Sequence, residues 1–165
     1  LSTMMRRCEE QHDARLQALD TELPLQERTL SPSDLGFHNA LRRPNGEIVF
    51  LDFEYFGWDD PAKAISDFLL HPAMDLNQDL RQQFLSNSLD CFTNQPSISK
   101  RVNLIYPLCG LKWCLLLLNE FLPEYLEKRS FAKGEPLDSA GTQSEQLKHA
   151  QEMLIRVNNG YEPPY

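Results

Sequence analysis

The chain has 165 residues, of which 41% are hydrophobic and 24% are charged, and its formal net charge is −8 at pH 7. This length and composition predict a single domain over residues 1–165 with a buried core. The net negative charge and the scattered basic residues argue against nucleic-acid and membrane partners, because both select clustered lysine and arginine. An acidic surface would suit a cationic small substrate, but it is also what a solvated acidic face produces.

The cysteines show no C-x-x-C spacing and lie in segments that are predicted to be helical: Cys8, Cys91, Cys109 and Cys114. We expect reduced thiols, and the apolar run around the last two predicts that they pack in the core. No signal peptide is visible, so the sequence predicts a cytoplasmic protein. Because the first residue is Leu1 rather than Met, we expect a fragment or a processed piece.

Residues 3–20 have apolar side chains at helical spacing and predict an amphipathic helix, which Pro24 ends. Residues 21–33 form a connection, in which Ser31-Pro32-Ser33 offers turn chemistry. A β-hairpin is predicted next, with strands over 39–41 and 47–52 and a turn at Pro44-Asn45-Gly46. Such a hairpin would bring the two ends of the segment 39–52 together.

Residues 55–61 form an aromatic and acidic loop, in which Asp60 is a candidate N-cap and Pro61 the first residue of a helix that continues to Leu70. Helices are then predicted over 76–92, 99–128 and 143–157, with a polar loop at 130–142. The apolar run over 104–118 is shorter than the roughly 20 residues of a membrane span and contains Pro107 and Lys112. We therefore predict that it is the core helix.

Three side chains around the hairpin have the chemistry of phosphoryl transfer. Asp34 is a carboxylate on a short loop, which could accept the proton of an attacking hydroxyl. Asn39 and Asp52 supply one neutral and one charged oxygen, the type of ligand that Mg²⁺ prefers. Few protein ligands suffice, because nucleotide phosphates and water complete the magnesium shell.

The segment Asp34-Leu35-Gly36-Phe37-His38-Asn39 matches the pattern D-L-x-x-x-N, and Asp52-Phe53-Glu54 stands, in the same order, where the D-F-G triplet would stand. In these motifs the chain resembles the aminoglycoside phosphotransferase and choline kinase family, whose C-terminal lobe is similar to that of protein kinases. The resemblance covers about residues 30–70. It implies a mostly helical α+β fold, a kinase-like C-terminal lobe with a small β-hairpin that carries the catalytic and metal residues.

The resemblance also implies the roles of individual residues. Asp34 would be the catalytic base, Asn39 and Asp52 would bind Mg²⁺, and ATP would be the co-substrate that phosphorylates a hydroxyl of a small molecule. Glu54 makes the second triplet more similar to choline kinases than to protein kinases. Asp67 would correspond to a family residue that braces the catalytic loop, although an exposed helix charge is an equal alternative.

The chain departs from the family pattern in two places. Pro32 stands where the family usually has a histidine, two residues before the base. There is no glycine-rich phosphate loop and no strand lysine with a helical glutamate partner, so we expect the N-terminal nucleotide-binding lobe to lie outside this sequence. The nucleotide-binding residues are therefore unassigned, and the fragment alone is expected to be inactive.

Other side chains are weaker candidates. Tyr55, Trp58 and Trp113 could form an aromatic wall for a cationic group, but large aromatic residues more often serve in packing. His38 is expected to be a bystander within its motif. The remaining histidines, His12, His71 and His149, have no partners at metal-binding spacing in the sequence.

The residues predict phosphoryl transfer, and the resemblance implies an ATP-dependent phosphotransferase. The main alternative is a non-catalytic binding or regulatory module of the same fold, and a purely helical interaction domain is a third hypothesis. The substrate is not encoded in the motifs, since members of the family act on amino sugars, amino alcohols and sugars with the same catalytic residues.

Overall fold

The computed structural model describes residues 22–126 and 139–159, together with Arg6 and Phe131. The predicted helix over 3–20 and most of the predicted loop over 130–142 lie outside these residues, as do Cys8 and His12.

The described part of the chain is a mostly helical α+β structure. Its strands are β1 Thr29–Ser31, β2 Ala40–Arg42, β3 Ile48–Phe50 and β4 Gly57–Asp59. Its helices are α1 Pro61–Leu70, α2 Gln78–Cys91, α3 Ile98–Leu117 and α4 Ser139–Asn158. Short 3₁₀ turns occur at Leu25–Glu27, Phe37–Asn39, Pro72–Met74 and Leu118–Phe121.

The predicted hairpin is confirmed; its first strand begins one residue later than the sequence pattern indicated, and its second strand is shorter. β2 and β3 are antiparallel, and Ala40 lies opposite Phe50. At the tip, the backbone N–H of Arg43 donates to the carbonyl of Glu47 at 2.8 Å, and Gly46 has φ of +88°. The glycine is needed there because residues with a Cβ rarely adopt positive φ.

A second strand pair was not predicted from the sequence. β1 and β4 are antiparallel, with Leu30 opposite Trp58, in segments that we expected to be a connection and a loop. Strands of three residues are too short to show an alternating pattern, and each of these is a strand only because of its distant partner. This strand pair lies on both sides of the hairpin in the sequence, so the two ends of the segment 32–56 lie close together.

The predicted start of α1 is confirmed. The Asp60 carboxylate accepts a hydrogen bond from the backbone N–H of Ala62 at 2.8 Å, and Pro61 is the first helical residue. Arg101 of α3 donates to the other carboxylate oxygen of Asp60. Side-chain capping and this ion pair together fix the beginning of α1 against α3, directly after β4.

The core lies where α3 packs between α1 and α4. Its buried apolar residues include Ile65, Leu69, Leu70, Val102, Tyr106, Met153 and Val157. Cys109 and Cys114 are also buried, which confirms their predicted packing. The largest differences from the predicted helix boundaries are at α3, which gives way to a 3₁₀ turn after Leu117, and at α4, which begins at Ser139 rather than at 143.

The apolar segment around α3 is longer than we predicted. With its 3₁₀ turn it covers Ile98–Phe121, and these 24 residues are long and apolar enough to cross a membrane by length and composition. Its most apolar window has a mean hydropathy of 1.4, and 28% of that window is buried. The sequence pattern did not indicate the extra length, because the residues on either side of 104–118 are less apolar. The segment nevertheless contributes core residues, as predicted, between α1 and α4.

We expect Gly110→Ala to lower the free energy of unfolding by about 1–3 kcal/mol, the usual cost of overpacking a core. A Cβ at this position would lie 2.1 Å from Cγ2 of Val157 on α4. The added helix propensity of alanine, about 1 kcal/mol, opposes the effect without cancelling it. Urea denaturation followed by circular dichroism measures the change.

Val157→Ala provides the control for this substitution. In the Val157→Ala background the clash is removed, and Gly110→Ala should then be neutral or stabilising. An equal destabilisation in both backgrounds would show that the two helices do not touch at this point.

The cysteines should differ sharply in reactivity. Burial raises the pKa of the Cys109 thiol from 9.0 to about 12, which lowers its thiolate fraction about a thousandfold. Cys91 is exposed. At pH 8 we expect iodoacetamide to label Cys91 first and Cys109 only after denaturation, as read by mass spectrometry of the peptides. Equal labelling rates in the native protein would contradict the packing of α3.

Candidate functional site

The loop that carries Asp34 starts at the end of β1. The buried hydroxyl of Ser31 accepts a hydrogen bond from the backbone N–H of Ser33 at 3.0 Å. Ser33 adopts φ of +67°, and the N–H of Asp34 donates to the carbonyl of Pro32 at 2.8 Å. A positive φ is uncommon for a residue other than glycine and is found most often where a turn is tightly constrained. The turn thus holds the backbone of Asp34 in a defined position.

Asn39 binds directly to Asp34. Its side-chain Nδ2 donates to the backbone carbonyl of Asp34 at 3.0 Å and to the carboxylate Oδ2 of Asp34 at 3.2 Å. Since both bonds use the amide nitrogen, the amide oxygen of Asn39 points elsewhere and stays available as a ligand. The structure therefore brings two of the three predicted site residues together.

The hairpin brings the backbone of Asp52 close to Asn39. The N–H of Leu51 donates to the carbonyl of Asn39 at 2.8 Å, so Asp52 is one residue beyond this pairing. Asp52 adopts φ of +59°, in the left-handed region, and is exposed. Within the described ranges its carboxylate makes no hydrogen bond or ion pair, and no contact joins it to the carboxylate of Asp34.

Two histidines that sequence analysis set aside lie against Asp34. Nε2 of His38 is 3.2 Å and Nε2 of His71 is 3.5 Å from Oδ1 of Asp34. The expectation that His71 has no partner at metal-binding spacing is wrong, because only the fold brings the end of α1 to this loop. For His38 the sequence does hold a local signal, since it follows Asp34 at the i,i+4 spacing.

The ligand atoms of Asp34, His38 and His71 lie within 4.8 Å of one another, as they would around a metal ion. The hydrogen bonding argues for another role. Nδ1 of His71 accepts from the backbone N–H of Ala73 at 3.1 Å, so in the neutral ring the proton is on Nε2, which then has no lone pair for a metal. This cluster therefore fits hydrogen bonding and proton transfer better than metal binding.

The ring of His71 is held on two sides. His38 stacks on it with ring centroids 4.1 Å apart and 10° between the planes, and Trp113 of α3 contacts it edge-on at 4.5 Å. Burial lowers the pKa of His71, and the neighbouring His38 lowers it further. The ring is therefore neutral at pH 7.

Asp67 is buried in α1 rather than exposed. Its Oδ1 accepts hydrogen bonds from Lys112 and, at 3.1 Å, from Nε1 of Trp113, and Lys63 lies 3.5 Å from its Oδ2. Through Trp113 the carboxylate supports His71, which faces Asp34. Asp67 thus joins α1 to α3 beneath the loop and reaches the predicted base only through other side chains.

The other candidates lie at the surface. Tyr55 and Trp58 are 70% and 57% exposed, so neither packs in the core. Glu54 is also exposed, and a hydrogen bond to it raises the pKa of Tyr55. Trp113 instead contacts His71, and no ring contact joins the three aromatic residues in the part of the chain that the structure describes.

A cavity of about 400 Å³ adjoins the Asp34 cluster through His71. It lies between the Pro72–Met74 turn, α2 and α4. Its polar lining carries both charge signs, from Asp75, Arg81, Glu152 and Arg156, and also includes His149. The cavity is therefore suited to a small polar molecule rather than to an apolar one.

No family model, curated protein or solved structure matches this chain. Its function has to be argued from the geometry and chemistry of the site itself.

Proposed function

We propose that this chain is the C-terminal catalytic lobe, kinase-like in fold, of an ATP-dependent phosphotransferase that transfers the γ-phosphate to a hydroxyl of a small molecule. The position of Asn39 carries the proposal. Its side chain binds Asp34, and its backbone pairs with Leu51, beside Asp52. Asn39, one proposed metal ligand, therefore joins the proposed base to the segment of the other, Asp52, an arrangement that suits phosphoryl transfer.

Asp34 keeps an acceptor position on Oδ2 for a substrate hydroxyl. A carboxylate has about four such positions. The two histidines face Oδ1, and Asn39 donates to Oδ2. The remaining position is on Oδ2, and the side chain is 47% exposed, so a hydroxyl can reach it. Asp34 would orient this hydroxyl and accept its proton during transfer.

Asn39 and Asp52 would hold Mg²⁺. The free amide oxygen of Asn39 and the exposed carboxylate of Asp52 are hard oxygen donors, and their backbones are fixed by the same end of the hairpin. When bound, the ion would neutralise the charge of the transferring phosphate. The absence of other partners for the Asp52 carboxylate among the described residues is consistent with this role.

We place the acceptor in the cavity next to His71. Its two carboxylates and two guanidinium groups can bind hydroxyl and amino groups of a polar molecule, and His71, which lines the cavity, lies 3.5 Å from Oδ1 of Asp34. The decisive test is magnesium-dependent ATP turnover by the full-length protein with a panel of amino sugars, amino alcohols and sugars. Binding of an acceptor without any turnover would instead favour the non-catalytic module.

Residues 1–165 alone should bind ATP weakly or not at all. The nucleotide phosphates of such enzymes are held between two lobes, and only the base and the metal ligands are assigned in this sequence. Calorimetry with Mg²⁺ and ATP measures the affinity. A dissociation constant in the micromolar range would contradict the prediction and require a nucleotide site within these residues.

A further inference from the structure

We infer that His71 is a positioning residue for Asp34, whose Nε2–H holds the carboxylate by its Oδ1 so that Oδ2 faces the substrate hydroxyl. The inference rests on the proposed function in one respect, that Asp34 is the base. The geometry of His71 itself does not depend on that role.

The direction of the His71 ring follows from the end of α1. His71 precedes the Pro72–Met74 turn, and its Nδ1 caps that turn by accepting the N–H of Ala73. The proton of the neutral ring must then be on Nε2, which lies 3.5 Å from Oδ1 of Asp34. Such contacts are often long before substrate binds and shorten in the reactive complex.

The ring cannot easily turn away from Asp34. His38 covers one face, and the edge-on contact with Trp113 closes another side. Trp113 is itself fixed, because its Nε1 donates to the buried Asp67. A chain of contacts thus runs from the middle of α1 through α3 to the loop, and it transmits the rigidity of the helical core to the carboxylate.

A neutral donor suits a general base better than a cation does. A lysine or arginine at the same place would favour the ionised carboxylate strongly and reduce its ability to accept a proton. The charged groups that act on His71 are Asp34 from the loop, Asp67 from α1 and Lys112 from α3, with His38 stacked on the ring. Burial outweighs the two carboxylates, so the pKa of His71 is lowered and the neutral ring is favoured.

The first measurement needs no enzymatic activity. Long-range ¹H–¹⁵N NMR of the ¹⁵N-labelled chain at pH 7.5 reports which ring nitrogen of His71 carries the proton. We expect protonation at Nε2 only, and a shift of this resonance in Asp34→Asn. Protonation at Nδ1, a doubly protonated ring, or no response to Asp34→Asn would overturn the inference even if the protein is a phosphotransferase.

The second measurement compares two variants in the full-length protein. His71→Gln keeps an N–H donor near the position of Nε2, whereas His71→Phe keeps a ring between His38 and Trp113 but has no donor. A hydrogen bond to a charged group contributes about 1.5–3 kcal/mol, so His71→Phe should lower kcat on the order of 10- to 100-fold. His71→Gln should recover most of this loss, and KM for ATP should stay unchanged in both.

The outcomes separate positioning from packing. Equal losses in both variants would mean that the ring only fills space, and no loss in either would mean that Asp34 needs no support; both results overturn the inference. If His71→Phe does not fold, the kinetics of His71→Gln and the NMR measurement still test the inference. A full-length protein without phosphotransferase activity refutes the proposed function, and the protonation of His71 is then still measured by NMR.

Discussion

Asp34→Asn should lower kcat of the full-length enzyme on the order of 10²- to 10⁴-fold, the usual contribution of a positioned general base. Asparagine keeps the shape of the side chain and an oxygen that can accept from Nδ2 of Asn39, so the loop should stay intact. Nucleotide affinity should change little, because the role proposed for Asp34 is on the acceptor. Steady-state kinetics with saturating ATP and Mg²⁺ measures the effect, and Asp90→Asn, an exposed position on α2, is the matched control.

Asn39→Ala should give a different kind of defect. It removes a proposed magnesium ligand, so the dependence of the rate on Mg²⁺ should shift to higher concentrations. If Asp34→Asn leaves turnover intact, or changes only the apparent affinity for Mg²⁺, the match to D-L-x-x-x-N is accidental, and the non-catalytic module becomes the better hypothesis.

Asp52→Asn should also impair magnesium-dependent turnover severely, on the order of 10²-fold or more, because it removes the only charged ligand among the proposed ones. Asparagine tolerates the left-handed region about as well as aspartate does, so φ of +59° should cost no additional stability. The measurement is the rate as a function of Mg²⁺ concentration, with the melting temperature as a check on folding.

The two carboxylate variants can be told apart by added metal. Raising the Mg²⁺ concentration should restore part of the activity of Asp52→Asn but none of that of Asp34→Asn. Near-normal rates of Asp52→Asn at ordinary Mg²⁺ concentrations would show that Asp52 is not a metal ligand.

The local features of the site could be predicted from the sequence because short-range chemistry determines them. Asn45-Gly46 has a strong preference for a hairpin turn, and Asp60-Pro61 has one for a helix start. The hairpin then places Asn39 and Asp52 at the same end, which is a geometric consequence of antiparallel pairing. Each of these inferences needs only a few neighbouring residues.

The long-range features could not be predicted. His71 reaches Asp34 only because α1 packs on α3 and ends beside the loop. The burial of Asp67 likewise depends on Lys112 and Trp113 of α3, which no pattern in α1 reveals. In the same way β1 is a strand because it pairs with β4. A single sequence contains these residues but not the packing that brings them together.

The tip of the hairpin can change in length without changing the arrangement of residues at its open end. The pairing between Asn39 and Leu51 lies at the open end, whereas the exposed residues 43–47 form the far end and contact neither Asp34 nor His71. Residues inserted at Pro44-Asn45 would cost mainly loop-closure entropy, about 0.6 kcal/mol for each doubling of loop length. The tip is thus a suitable position for a fluorescent or affinity tag that leaves the residues of the proposed site in place.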